Sequence, residues 1–244
     1  MAKSHVLTSQ FLMRGFAEKD KNNKGEIYFF DIENNTIKRD KIRNLDSIEG
    51  YYSPFVEKEL ADIESKFGNI STNFKKFLSN GNDFIISFEH RNLIRIFFDL
   101  LLLRNETIIN RIVGTNHIQE LDDFFSDKSN KSLFFRYHYP LIVYNRTNRD
   151  FLLPRCVIYM VEHNSVPQYI CPINHKAAIV MVDKKEFDSH VQDNYLEYGQ
   201  IFDEHIIMEM NIRAYYAELE TSGMYLFGSQ NELNKLLSET INNC

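Results

Sequence analysis

The sequence predicts an α+β protein: an N-terminal helix and β-hairpin, a helical middle, and short strands and helices in the C-terminal half. Three patterns carry that prediction. Apolar residues recur three or four apart through much of residues 55–112, which is helical spacing. Short apolar, β-branched runs bounded by Pro or polar clusters occupy residues 140–182, which is strand patterning. Neither a repeat of fixed period nor a low-complexity linker divides the 244 residues, so one globular domain over residues 1–244 is expected.

In chain order, a helix is expected from about Leu7 to Ala17, with Met13 and Phe16 facing a core. The polar stretch Asp20 to Gly25 makes a turn, and Glu26 to Asp31 reads as a strand. Asn34-Asn35 turns it back into Thr36 to Arg39, a hairpin. Beyond Pro54, a helix spans Phe55 to about Leu78, with Val56, Leu60, Ile63, Phe67, Ile70, Phe74 and Phe77 on its apolar face. Asp83 to Ile112 reads as a second long helix. It is apolar nearly all round from Leu93 to Leu103, so it is expected to be the most buried element, with Ile96, Phe97, Leu100 and Leu103 in the core. A third helix covers Ile118 to Phe125. Strands are expected over Pro140 to Tyr144, Arg155 to Val161 and Ala177 to Val182, and a helix over Glu186 to Asp193. Helices over Ile201 to Leu219 and Gln230 to Ile241, with a strand at Met224 to Phe227 between them, complete the reading.

Composition narrows the classes of function. Hydrophobic residues make up 43% and aromatics 14% of the chain, which excludes a disordered protein. The net charge of −6 lacks the basic footprint of a duplex-DNA binder. The local run Lys38 to Arg43 reads as a solvated surface strand. Three cysteines fit neither a disulfide framework nor a zinc site. The N-terminus has no signal-peptide pattern, and the most apolar run is too short to cross a bilayer. A cytoplasmic protein without a membrane partner is expected.

Candidate chemistry begins at the N-terminus, where His5 and Gln10 precede the apolar helix that holds them near the core. Glu57 and Glu64, seven apart, share one helical face. They would either hold a divalent cation together with His5, divide acid and base roles, or stand as ordinary surface carboxylates beside Lys58 and Asp62. Arg104 follows four leucines. A charge at the end of a buried helix needs a partner: Glu57 or Glu64, a bound phosphate or carboxylate, or the helix C-terminus itself. Arg111 and His117 have the spacing of a HEPN ribonuclease motif, but Gly114 and Thr115 interrupt the helix that motif requires. Glu162-His163-Asn164 follows a strand, a place where sites are often carried. Gly-rich phosphate loops, nucleophile elbows and His-Glu-x-x-His motifs are absent from the sequence.

These pieces together resemble the bacterial family known as domain of unknown function 4238. That family opens with His, Pro-Gln, Leu and Phe; here His5, Gln10, Leu12 and Phe16 match, with Ser9 in place of the Pro. Its Glu-x-x-Leu-x-x-Ile-Glu helix is matched by Glu57 to Glu64, its long apolar helix ending in Arg by Leu100 to Arg104. Its late Asn and following strand are matched by Asn211, Ala217 and Tyr225 to Ser229. Where the family has Ser-Asp-x-Pro after a strand, this chain has Glu162-His163-Asn164-Ser165, so no role carried by that Asp is implied. The resemblance, added to the spacing, points to His5, Gln10, Glu57, Glu64, Arg104 and Asn211 as site residues, with His5, Glu57 and Glu64 as ligands of a divalent ion, Mg or Mn. Two functions stay open. One is an enzyme of bacterial defence or toxin type, a metal-assisted nuclease or phosphodiester hydrolase with an RNA or DNA substrate. The other is a non-catalytic sensor or binding module for a ligand or protein partner, in which the polar cluster is structural. Convergence of the charged residues on one open cleft favours the first, and a sealed network the second.

Overall fold

Ser9 decides where the first helix begins. In the computed structural model of this chain, residues 3–5, 8–17, 25–80, 88–112, 116–127, 132–163, 166–184, 198–221 and 224–241 are described, with the backbone alone at 3–5, 73–80, 88, 111, 112, 117, 163, 198 and 241. A short strand β1 (Lys3–His5) comes first, and α1 runs over Gln10–Phe16, three residues later than the apolar pattern suggests. The Ser9 hydroxyl accepts from the Leu12 amide, capping the helix and ending its extension toward Leu7. Leu12, Met13 and Phe16 are buried, and Gly15 lies so close to the Ile173 carbonyl that a Cβ would sit 2.2 Å from its oxygen. Only a glycine lets α1 dock at that distance.

The hairpin forms as expected from β2 (Glu26–Asp31) and β3 (Thr36–Lys41), with Asn35 at φ 50° in the turn. Lys38 and Arg39 of the basic run are exposed on β3, and Lys38 pairs with Asp31 at 2.6 Å. A short strand β4 (Ser47–Glu49) pairs antiparallel with β1, His5 opposite Ser47.

The helical middle starts with α2 (Pro54–Asn80), whose first turn carries a proline and is capped by the Ser53 hydroxyl, 3.2 Å from the Val56 amide. The helix expected over Asp83 to Ile112 is two helices, α3 (Phe88–Leu103) and α4 (Glu106–Ile112), with residues 83–87 outside the described ones. The chain breaks at Arg104 and Asn105, and the Asn105 side chain accepts from the Ile108 amide at 3.1 Å to start α4 anew. Phe97, Leu100 and Leu103 are buried as expected, whereas Ile96 is only partly so. The two charged residues in this apolar run are satisfied: Asp99 accepts from the amides of Leu133, Phe134 and Phe135, and Arg95 donates to the His138 carbonyl. α5 follows at His117–Ser126.

Strands β5 (His138–Asn145), β6 (Leu153–Pro154), β7 (Tyr159–His163), β8 (Val166–Asn174), β9 (Ala177–Asp183) and β10 (Tyr198–Ile201) precede α6 (Glu204–Thr221), β11 (Tyr225–Gly228) and α7 (Gln230–Ile241). The strand expected from Arg155 begins only at Tyr159, because Val157 turns back at φ 65° and its amide bonds to the Pro154 carbonyl. The helix expected over Glu186 to Asp193 lies outside the described residues. β10-β5-β9-β8-β7 form a five-stranded sheet and β3-β2-β11-β6 a four-stranded one. With its seven described helices, the fold is α+β.

Two buried clusters hold these parts together. The larger unites α1, both sheets, α3, α6 and α7, and includes Phe67 stacked on Phe97 at 3.9 Å. The smaller lies among α2, α3, α4 and α5, with Tyr52, Val56, Leu60, Leu100 and Leu103 at its centre. Phe11 of α1 meets Phe67 edge-on, which sets the first turn of α1 beside α2.

Candidate functional site

The packing of α1 against α2 leaves a small pocket of about 280 Å³. Gln10 and Arg14 come from α1, one turn apart, and the Arg14 guanidinium donates to the Gln10 side-chain oxygen at 2.9 Å. Glu57, Leu60, Ala61 and Glu64 come from α2, at offsets of three, four and seven that place them on one face. Arg104 enters from the end of α3. The pocket therefore gathers four of the six residues singled out in the sequence: Gln10, Glu57, Glu64 and Arg104.

Arg104 is the most constrained of them. Its side chain is 3% exposed, and its Nη1 donates to Glu64 Oε1 at 2.8 Å. Of the two glutamates offered by spacing, Glu64 is the partner. The guanidinium also lies 5.9 Å from the centre of the Tyr52 ring. Burial alone would lower the Arg104 pKa, but Tyr52, Glu64 and Asp46 outweigh it and hold the group charged, above its ordinary value. Burial pushes the Tyr52 hydroxyl up to about 12, against the pull of Arg104, so the phenol stays protonated at neutral pH. Behind this pair, Asp46 ties the surroundings together, accepting from the Thr8 amide at 2.6 Å and from Arg155 Nε at 2.7 Å.

Glu57 differs from Glu64. Its Oε1 is buried yet accepts no hydrogen bond from the described residues. A carboxylate oxygen in that position is a ready acceptor for a cation or a proton donor. Arg14, exposed at the rim, presents a second positive group to anything entering.

The other expected site residues stand differently. His5 is placed by its backbone on β1, opposite Ser47 and a few residues before α1, while its ring lies outside the described side chains. Asn211 does not line the pocket: it is fully buried on α6, where its oxygen accepts from the Leu152 amide and its nitrogen donates to the Asp150 carbonyl and to Glu232. Among the described side chains, no three of His, Cys, Asp or Glu are grouped closely enough to hold a metal ion. Glu57, Glu64 and His5 are the residues that would supply ligands, and Glu64 already serves Arg104. Glu162 is exposed on β7, and Asn164 and Ser165 lie outside the described residues. The Arg111 and His117 side chains and residues 113–115 between them also lie outside.

Three participants were missed in the sequence. Arg14 stands four residues after Gln10, a spacing that would have signalled it. Tyr52 and Asp46 carried no local signal, because what joins them to Arg104 is tertiary packing.

Residues 5–138, more than half of the chain, match the model of a family described as a protein of unknown function, DUF4238. The chain belongs to this family. The matched span contains every residue lining the α1–α2 pocket and ends before Asn211. No curated protein and no solved structure matches the chain.

Proposed function

We propose that the α1–α2 pocket is an active site and that this DUF4238 protein is a cytoplasmic, metal-assisted phosphodiester hydrolase of nuclease type, with RNA or DNA as substrate and a bacterial defence or toxin role. One observation supports this above others: Gln10, Glu57, Glu64 and Arg104, from three separate elements, line one pocket, and a buried Glu57 oxygen there lacks a hydrogen-bond partner. In this reading Glu57 binds a Mg or Mn ion or takes a proton, with His5 and Glu64 completing the ligands. Arg14 meets a substrate phosphate at the rim. Arg104 is a positioning residue, fixing Glu64 and supplying positive potential from the pocket floor.

A second reading is a non-catalytic ligand-binding module. It is favoured by the burial of Arg104 and its closed contact with Glu64 and Tyr52, which is how a structural network looks.

The two separate in one experiment. Glu64→Gln also disturbs a buried charge, costing about 1–3 kcal/mol of stability, so it confounds folding with chemistry. Glu57→Gln is the cleaner variant, since no described partner is lost. Cleavage of single- and double-stranded RNA and DNA is measured with Mg, Mn and EDTA, beside thermal melts. The expected result is metal-dependent cleavage that falls about 100-fold or more in Glu57→Gln at an unchanged melting temperature. Full activity in that variant would remove the pocket from the chemistry. Nucleotide binding without cleavage, weakened by Arg14→Ala, would establish the module instead.

A further inference from the structure

The size and the walls of the α1–α2 pocket limit which nucleic acid it can take. At about 280 Å³ it lies at the lower end of the roughly 300–1,000 Å³ that ligand pockets span. That is room for one nucleotide. A duplex, whose major groove alone is about 12 Å wide, does not enter. The walls divide by character. On the apolar side the partly exposed ring of Phe11 stands with Leu60 and Ala61. Phe11 is the one aromatic ring lining the pocket among the described residues. It meets Phe67 at an interplanar angle of 84°, a contact that covers at most one face of the Phe11 ring. On the polar side Glu64 is engaged by Arg104, which leaves Glu57 for a cation or a proton and Arg14 for an anion. Arg14 donates to the neutral Gln10 and pairs with no carboxylate among the described residues.

We propose that this pocket takes one unpaired nucleotide, its base against the Phe11 ring and its phosphate on Arg14, so that the substrate is a single strand. The inference rests on the hydrolase reading of the same pocket and names its substrate class. A single strand turns a base outward at little cost and gains a stacking partner, and every base has a π-face to offer. A duplex keeps its bases paired inside and presents phosphates, to which the lining offers one cation free of a carboxylate, Arg14. Holding a duplex by its phosphates takes several such contacts, and a chain of net charge −6 does not favour the rest of its backbone. Flipping a paired base into the pocket adds the cost of unpairing it. Stacking and a phosphate contact are common to single-stranded RNA and DNA, so both belong to this class.

The test uses the full chain and short fluorescent oligonucleotides of one mixed sequence, as RNA and as DNA, single-stranded and duplex. Binding is read by anisotropy in EDTA, and cleavage with Mg or Mn. Single strands are expected to bind at least about tenfold tighter than duplexes, with a slope of log K against log salt near −0.7, as for one phosphate contact on a single strand. Phe11→Leu keeps apolar bulk against Phe67 but has no ring face, and should weaken single-strand binding about tenfold, while Phe11→Tyr binds as the wild type does. Ala61 is exposed on α2 and lines the pocket, so Ala61→Phe fills the space and should abolish binding at an unchanged melting temperature. If Phe11→Leu loses stability, Ala61→Phe decides. The proposal is overturned by no binding of any single strand, by duplexes bound as tightly as single strands, or by wild-type binding in a stable Phe11→Leu or in Ala61→Phe. Metal-dependent cleavage of duplexes would then leave the hydrolase reading standing. Single-strand binding of the expected kind with no cleavage in Mg or Mn does the reverse: it keeps the nucleotide site and removes the hydrolase.

Discussion

His138 shows how a single ring records its surroundings. It begins β5 with Phe135 and Tyr169 packed edge-on at 5.2 and 5.7 Å, and its Nδ1 is buried with no partner among the described residues. Burial pushes its pKa below the usual value of 6.5; Asp183 opposes the shift and Arg95 adds to it. The folded protein therefore binds this proton less readily than the unfolded chain does. Stability from this residue is complete above about pH 6.5 and declines as pH falls from there toward the lowered folded pKa. Urea denaturation at about pH 7.5 and pH 5.5 should show the wild type losing more stability on acidification than His138→Gln, which has no proton to gain there. Equal losses would mean that the ring protonates alike in both states. Arg104 obeys the same electrostatics with the opposite outcome, since its partners outweigh burial and keep it charged. By that contrast the pocket floor carries a positive charge, while the start of β5 carries a histidine that resists one.

At the scale of elements, the break between α3 and α4 falls directly after Arg104. The Arg104 amide still bonds the Leu100 carbonyl at 3.0 Å, and the path changes only at Asn105, whose amide turns to the Leu102 carbonyl at 2.9 Å. The last turn of α3 thus sets Arg104 within reach of Glu64, and the next helix starts from Asn105, whose side chain caps the Ile108 amide. Asn105→Ala is expected to cost about 1 kcal/mol or slightly more, measured by chemical denaturation, as loss of an N-cap does. A cost within error would show that the break is held by packing alone. The apolar period through residues 93–112 carried the helices but not this break, because no Gly or Pro marks it and a buried Asn cap reads as an ordinary polar position. The hairpin of β2 and β3, the closing helices and β9 were legible for the complementary reason: their signals are local. β1 and β4 were not, since each is three residues long and exists only by pairing with the other across more than forty residues of chain. β8 was hidden by Pro167 and Pro172, which argue against a strand; Pro172 lies where the β8–β9 register shifts. The pocket was half legible. Helical spacing put Glu57 and Glu64 on one face and the four leucines made Arg104 conspicuous, but the contact of α1 with α2 that brings Gln10 to them depends on Phe11 meeting Phe67.

Over the whole molecule, the C-terminal helices are joined to the five-stranded sheet by a second polar centre, distinct from the α1–α2 pocket. Arg149, just after β5, donates from Nε to Glu232 at 2.8 Å and makes a two-pronged contact with Glu239, both on α7. Asn211 bridges from α6 to the same Glu232 and to the backbone at Asp150 and Leu152. Lys176 donates to the Arg149 carbonyl and pairs with Asp150, and the Ser229 hydroxyl, which caps α7, reaches Asp150 as well. Asn211 spends its side-chain oxygen and nitrogen on protein groups here and does not line the α1–α2 pocket, so its work is to hold α6, α7 and the β5–β6 connection in one arrangement. Asn211→Ala removes both sides of that bridge and leaves the buried Leu152 amide without its acceptor, at a cost of about 1–3 kcal/mol. The variant is therefore expected to unfold at lower urea concentration than the wild type. Once corrected for the folded fraction, its cleavage or ligand binding at the α1–α2 pocket should equal that of the wild type, unlike Glu57→Gln, which should keep its stability and lose its function. Loss of function in fully folded Asn211→Ala would instead tie the two polar centres into one site. That result would require the α6–α7 end of the molecule to reach the substrate, despite the pocket lining coming wholly from α1, α2 and the end of α3.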